Sequence, residues 1–374
     1  MISNLIIYIA QPYDLNLFVS LASRSYMLCS VAAFSYTVIN CFRQYVPYKT
    51  MQILTIVFMV GFALVSHLLS DSGGTYLFII RLLCYLALPI YFLYLDYLKP
   101  DKWMLHFIFI LNFLASVVFG LLSFSSLSYA GYENYIGTSS AWMTLGYENP
   151  NQTAMYLLIN QVVLLCAFYY YSKKPIRLIL LADALFMGWL ILKTSSRTCI
   201  GISALILAVC IFRRKYRIKK YVVAGILILP LLFFIIYPYL FDNTLFVGVV
   251  IGGKTDYSAR GEFFKTAITA VGDRFLFGDF GRFQLQNLHN GPLSIYASVG
   301  VIGLAFFYVY YYRAYYRMLY YGFQCKAAFL AAVGLLSVFL HACTESGFIT
   351  GGAMYAGSLS ALILLTKMEG CERH

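Results

Sequence analysis

Residues 103–124 read WMLHFIFILNFLASVVFGLLSF, a run without aspartate, glutamate, lysine or arginine. As a helix rising about 1.5 Å per residue, it matches the ~30 Å hydrocarbon core of a bilayer. Apolar runs of about 17–22 residues recur along the rest of the chain, each long enough to cross. Of the 374 residues, 61% are hydrophobic and only 11% charged, and the mean hydropathy is +0.76. These values exclude a soluble domain. The expected fold is all-α, a polytopic integral membrane protein forming one transmembrane domain over residues 1–374.

Spans are expected near 25–42, 52–70, 75–96, 103–124, 152–171, 177–192, 199–212, 221–241, 292–312, 327–343 and 348–366, with 199–212 extended at its ends. The stretch 2–22 is apolar at first but is broken by Gln11-Pro12-Tyr13-Asp14, so it reads as either a twelfth span or an interfacial helix. Met1 to Ala10 lacks a basic n-region and a cleavage site, so no cleavable signal is expected.

The net charge of +12 is not a nucleic-acid signal, because most of it sits in short connections between spans. Arg43 and Lys49, Lys99 and Lys102, Lys173, Lys174 and Arg177, Arg213 to Lys220, and Arg313, Arg317 and Lys326 all fall on one side. By the positive-inside rule that side is cytoplasmic. The other side receives two long loops, 125–151 and 242–291. Tyrosines cluster at 169–171, 308–316 and 320–321, near cytoplasmic span ends, as in an interfacial aromatic belt. The nine cysteines fall within apolar runs, near helix ends or in cytoplasmic connections. They predict no disulfide framework, and no Cys/His spacing resembles a metal site.

The second long loop carries most of the chemistry. Ser258 to Ile268 reads as an amphipathic helix with Phe263, Phe264, Ala267, Ile268 and Val271 on one face and Gly272 as its stop. Such a helix would lie at the membrane surface with Arg260 free in its first turn. A glycine-punctuated turn follows, Arg274-Phe275-Leu276-Phe277-Gly278-Asp279-Phe280-Gly281, and then Asn287-Leu288-His289-Asn290. In the next span Gly300 and Gly303 would let a neighbouring helix approach closely.

These elements resemble the signature of the O-antigen polymerase/O-antigen ligase superfamily. The resemblance rests on the Arg-led amphipathic stretch, the glycine turn, His289-Asn290, and the paired glycines of the next helix. Ser195-Ser196-Arg197-Thr198 is similar to that family's "S-R" motif, and Asn149-Pro150-Asn151 to its "N-P-N" element. The turn at Phe277 to Gly281 is less glycine-rich than the family's. The likeness runs from about Asn149 to Gly303 and is otherwise topological.

The resemblance implies a multi-pass protein of the bacterial cytoplasmic (inner) membrane with its active site on the extracytoplasmic face. The implied reaction joins glycans carried on undecaprenyl pyrophosphate. Its partners would be the undecaprenyl-pyrophosphate-linked oligosaccharide, membrane lipids, a chain-length regulator and a flippase. No nucleotide or metal is required where fixed cations balance the pyrophosphate, and arginine suits that task. On this reading Arg197 and Arg260 hold the pyrophosphate, and His289 accepts the proton of the acceptor hydroxyl. Arg274 and Arg282 are further candidates for the anion, and Asn290 for the substrate. Arg81, about 10 Å below the outer face by helical rise, is within reach of a sinking pyrophosphate.

Other readings stay open for several residues. An outer-loop arginine also serves as a solvated charge or headgroup contact. His289, and better Asn290, also fits the cap of the helix opening near Pro292. Asn149 fits an N-cap with Pro150 at the first helical position. His341 and Glu345, at i,i+4, form either a polar pair at the rim of the site or a helix end before Gly347. Asp183 enters from the cytoplasmic side, at a depth unlike that of Arg81. Polymerase is the expected activity, and ligase is the alternative within the family. A flippase or transporter for the same lipid-linked unit is the alternative outside it, and it would be expected to show internal repeats and broken midplane helices.

Overall fold

Apolar runs without internal breakers satisfy their own backbone groups only as helices, and the chain folds accordingly. The structure, a computed structural model, describes residues 2–43, 47–69, 98–129, 142–147, 149–212, 219–242, 250–251, 254–255, 260–280, 288–320, 323, 325–345 and 353–368, with scattered helical residues between 78 and 94. The helices are α1 (Ile2–Ala10), α2 (Asn16–Arg43), α3 (Pro47–Leu68), α4 (Lys102–Ser123), α5 (Pro150–Tyr170) and α6 (Lys174–Lys193). They continue as α7 (Arg197–Phe212), α8 (Lys220–Asp242), α9 (Arg260–Val271), α10 (Gly291–Tyr320), α11 (Lys326–His341) and α12 (Ala353–Leu365). Strand among the described residues is limited to the antiparallel pair β1 (Val250–Ile251) and β2 (Lys254–Thr255). Among the described residues five helices, α3 to α6 and α10, are long and apolar enough to cross a membrane. The chain is therefore an α-helical, membrane-embedded protein.

The break expected at residues 11–14 is present. Pro12 lies in a 3-10 turn over Gln11–Tyr13, and Asp14 takes a left-handed conformation at φ 53° that no helix continues through. The preceding helix α1 has nine residues. Its rise of about 14 Å is half of a bilayer core.

Helix α5 is the centre of the bundle, with 83% of its apolar window buried. Its polar side chains tie it to its neighbours, as suits helices packed in lipid. Asn160 donates to the Asn112 carbonyl of α4 at 2.8 Å. Gln161 accepts from Ser203 of α7 at 2.7 Å and donates to the Ala184 carbonyl of α6 at 3.1 Å. Asp183 of α6 accepts a hydrogen bond from Ser116 of α4.

At one end of the bundle, basic and aromatic groups interleave. The Lys326 ammonium lies 4.4 Å from the ring centroid of Tyr169, and Tyr169 donates to the Cys210 carbonyl at 3.2 Å. Arg177 stands 4.7 Å over the Phe168 ring, and His106 shares a 2.7 Å hydrogen bond with Tyr171. Cys325, at the start of α11, is disulfide-bonded, with its partner outside the described side chains. One bridge ties two points of the chain and is not a framework. Cys29, Cys166, Cys199, Cys210 and Cys343 are free thiols.

The expected amphipathic helix is α9, and Gly272 ends it in a 3-10 turn over Gly272–Arg274. Part of its apolar face is covered by protein, while Ile268 on the same face is exposed. Phe264, Ala267 and Val271 are buried with Leu288, Leu293 and Ala297, against Leu231, Phe233 and Tyr296. Alpha-helical protein and lipid offer the same apolar surface, so periodicity finds the buried face without naming its partner.

Helix α10 is broken at Gly300, where φ is 67° and ψ −171°. In an unbroken helix Val301 would donate to Ala297 and Ile302 to Ser298. Here Val301 donates instead to the Phe275 carbonyl at 2.8 Å, and Ile302 to Leu276 at 3.4 Å. The two vacated acceptors are also filled. Asp279 N–H donates to Ala297 at 2.8 Å, and the Ser66 hydroxyl of α3 donates to Ser298 at 2.8 Å. The same Ser66 oxygen accepts from Phe280 N–H at 2.8 Å. The turn 274–280 is thus wedged into α10 with these backbone groups satisfied. Only glycines fit the seam. A Cβ at Gly300 would lie 2.2 Å from the Leu276 carbonyl oxygen, and one at Gly278 would lie 2.5 Å from the Gly300 nitrogen. Gly300 therefore admits the turn, whereas a Cβ at Gly303 would meet Val299 of the same helix.

Candidate functional site

The site lies where α11 ends and the first turns of α5, α7 and α10 meet. Each start has its own local cause. Asn149 is extended and its side-chain oxygen accepts from Asn151 N–H at 2.8 Å, with Pro150 in the first turn of α5. Ser195, at φ 54°, turns the chain between α6 and α7, and Ser196 accepts the first bond of α7 from Ile200 N–H at 2.9 Å. Asn290 caps α10, its side-chain oxygen accepting from Leu293 N–H at 2.9 Å. Three helix N-termini pointing into one region favour negative charge there.

Asn290 also joins the elements. Its amide donates to the Pro230 carbonyl of α8 at 3.1 Å and to the Cys343 carbonyl beyond α11 at 3.2 Å. Gly291 N–H donates to Ala342 at 3.0 Å. Asn290 is fully buried. Both ends of its amide are held by main chain, a capping and anchoring role.

His289 stands immediately before that anchor, in a left-handed conformation at φ 49°. Its Nδ1 lies 3.2 Å from Oε2 of Glu345. The Glu345 side chain is 14% exposed and that of His289 34%, so the carboxylate is sheltered while the imidazole faces partly outward. The other carboxylate oxygen, Oε1, accepts from Asn151 Nδ2 at 2.8 Å. Beside it, the hydroxyls of Thr344 and Thr198 are 3.1 Å apart. That contact brings the Ser195-Ser196-Arg197-Thr198 motif to the same cluster. Arg197 is the first residue of α7 and is half-buried.

The other expected site residues are distributed as follows. Arg260 is the first residue of α9, and its side chain lies outside the described residues. Arg81 and Arg282 also lie outside them. Arg274 is 3.3 Å from the buried Asp279 carboxylate across the wedged turn, and it is 39% exposed. The turn itself closes with Gly278 N–H on the Arg274 carbonyl at 2.7 Å. Of the two readings open for His341 and Glu345, the helix end is the one described: α11 ends at His341, and Glu345 beyond it faces His289. Glu345 lies past the end of α11, so the i,i+4 rule of a helix face no longer governs its side chain. The Glu345 backbone N–H donates to the His341 carbonyl at 3.1 Å.

Glu345 and Asn151 join the site as residues the sequence marks only weakly. The sole pointers are an acidic residue next to an apolar run and an asparagine within Asn149-Pro150-Asn151. Chemically, an imidazole with Nδ1 on a carboxylate keeps Nε2 to accept a proton, and the helix starts around it favour an anion. Among the described residues no cluster of three His, Cys, Asp or Glu side chains could hold a metal ion. Comparison with protein-family models, with curated proteins and with solved structures finds no match to this chain.

Proposed function

We propose that this chain is a membrane glycosyltransferase that polymerises undecaprenyl-pyrophosphate-linked oligosaccharide units into a surface polysaccharide. The single observation that supports the reading is the His289–Glu345 pair at the meeting of three helix N-termini, one of which begins with Arg197. A base beside an anion-favouring site is what the reaction needs. The acceptor hydroxyl oxygen forms a bond to the anomeric carbon while the bond from that carbon to the pyrophosphate oxygen breaks. The hydroxyl proton passes to Nε2 of His289, and the polyprenyl pyrophosphate leaves with the electron pair. Arg197 and Arg260 balance its charge as it develops. Arg81 and Arg282 are further contacts in this reading, and Arg274 is a weaker one because Asp279 already holds it. The site faces outward from a bacterial cytoplasmic membrane crossed by about eleven or twelve spans, in line with the basic connections on the other side.

A transporter reading gains one point from the break in α10, since discontinuous helices mark many transporter sites. The Ala297 and Ser298 carbonyls vacated at Gly300, however, are taken by the wedged turn and by Ser66 rather than left to a transported ion.

The test is purified protein with a synthetic undecaprenyl-pyrophosphate repeat unit, resolved on a gel. A ladder of products is expected. Single transfer onto a different acceptor would make the protein a ligase, and translocation without turnover would make it a transporter.

A further inference from the structure

The two oxygens of the Glu345 carboxylate each meet a different side chain. Oε2 faces His289 Nδ1 at 3.2 Å, and Oε1 faces Asn151 Nδ2 at 2.8 Å. The two contacts are not equivalent. An imidazole nitrogen donates or accepts according to its tautomer, whereas an amide NH₂ only donates. Asn151 therefore needs Oε1 as an acceptor and binds it more strongly when the carboxylate is ionised, so it disfavours a proton on either oxygen of Glu345 and on Oε1 most. A proton on Oε2 would instead turn the contact with His289 round, so that Glu345 donates to Nδ1 and the imidazole carries its own proton on Nε2. That tautomer has no lone pair on Nε2 to take a proton from a substrate.

Asn151 is itself held in place. Its N–H is bound by the Asn149 side chain at 2.8 Å, in the first turn of α5, and the positive end of that helix favours an ionised carboxylate in front of it. Thr153, two residues along, donates to the Thr144 carbonyl at 2.7 Å and fixes the same helix start to the loop before it.

We propose that Asn151 is a positioning residue that selects the His289 tautomer through Glu345, holding the imidazole proton on Nδ1 and leaving Nε2 open to a sugar hydroxyl. The role in turnover rests on the glycosyl-transfer reading, but the tautomer does not.

The test uses the full-length protein in lipid nanodiscs with ¹⁵N-labelled histidine, the His289 signals being assigned by their loss in His289→Gln. Neutral His289 in the wild type is expected to show its proton on Nδ1. Asn151→Ala is expected to give a mixed population with Nε2–H, and a kcat about 10-fold lower with KM within about twofold. Asn151→Asp keeps shape and suits a helix N-terminus, so a residue with only a helix-forming role would tolerate it. Facing Glu345 it replaces the donor with a second carboxylate, and it is expected to disturb the tautomer at least as much as alanine. Asn149→Ala, which frees the Asn151 N–H but leaves the Asn151 amide facing Glu345, is expected to lower thermal stability and to change the tautomer less than Asn151→Ala. An unchanged tautomer in Asn151→Asp, or an equal change in Asn149→Ala, overturns the proposal. A wild-type protein that makes no ladder yet shows these tautomer shifts overturns the enzymatic reading and leaves the role of Asn151 standing.

Discussion

Glu345 Oε2 lies 3.2 Å from Nδ1 of His289, although the two residues are 56 apart in the chain. If that imidazole takes the proton from the acceptor, its loss removes general-base assistance of about 10²–10⁴-fold. His289→Ala is therefore expected to abolish detectable ladder while the protein stays in the membrane at its normal level. Glu345→Gln keeps the shape but not the charge, and its ladder rate is expected to fall about 10²-fold. Initial rates normalised to immunoblotted protein measure both. Polymer of normal length and rate from His289→Ala would remove the residue from the mechanism.

Asn290 belongs to the fold. Asn290→Ala removes an N-cap, worth about 1 kcal/mol, and leaves the Leu293 N–H and two buried carbonyls short of a partner. A total cost of about 2–4 kcal/mol is expected. It should appear as a lower midpoint of thermal unfolding in detergent, with specific activity per folded molecule falling much less than in His289→Ala. A large loss of activity at unchanged stability would instead give Asn290 a contact with substrate.

The seam between Gly278 and Gly300 has no room for a methyl group. Either glycine changed to alanine puts a Cβ within 2.5 Å of backbone at a positive φ. Each is expected to destabilise by about 3 kcal/mol or more, through strain at the left-handed position and displacement of the turn. Gly61→Ala is the control, because a Cβ there meets nothing within 4 Å. Thermal unfolding of the three variants side by side measures the difference.

Arg197 and Arg274 are expected to separate. Arg274 is 39% exposed and faces Asp279, a partly solvated pair worth about 0–1 kcal/mol. Arg274→Ala should keep ladder formation within about threefold of wild type, in line with so small a contribution. Arg197→Ala removes a cation at the meeting of the helix starts, and a loss of about 2–4 kcal/mol in transition-state stabilisation is expected. The ratio of kcat/KM values for the two variants gives the measurement, and equal losses would count against the assigned roles.

Helices were legible in the sequence wherever an apolar run was long and uninterrupted, as at 103–124 and 152–171. So was the break at Pro12 and Asp14, because a fixed φ and a left-handed turn are local properties. The ends of α5 and α10 were also readable, since Asn149-Pro150 and Asn290 cap their own helices. Contacts made across the bundle were not readable. Nothing local to His289 names Glu345, and the helical spacing from His341 points the wrong way once α11 has ended. The buried face of α9 was visible, but the choice between lipid and protein for its partner was not. Gly300 was marked as a place of close approach, yet the approaching group is a turn some 20 residues earlier rather than a helix, and one-dimensional spacing carries no trace of that.

The groups that hold α10 open at Gly300 all precede it in the chain: Ser66, the carbonyls of Phe275 and Leu276, and the amide of Asp279. On a ribosome, each has been synthesised before the residue it will separate. The second half of α10 thus emerges with its replacement partners already made, and the helix never has to wait, unsatisfied, for downstream sequence. A nascent chain arrested soon after α10 would already contain the whole joint.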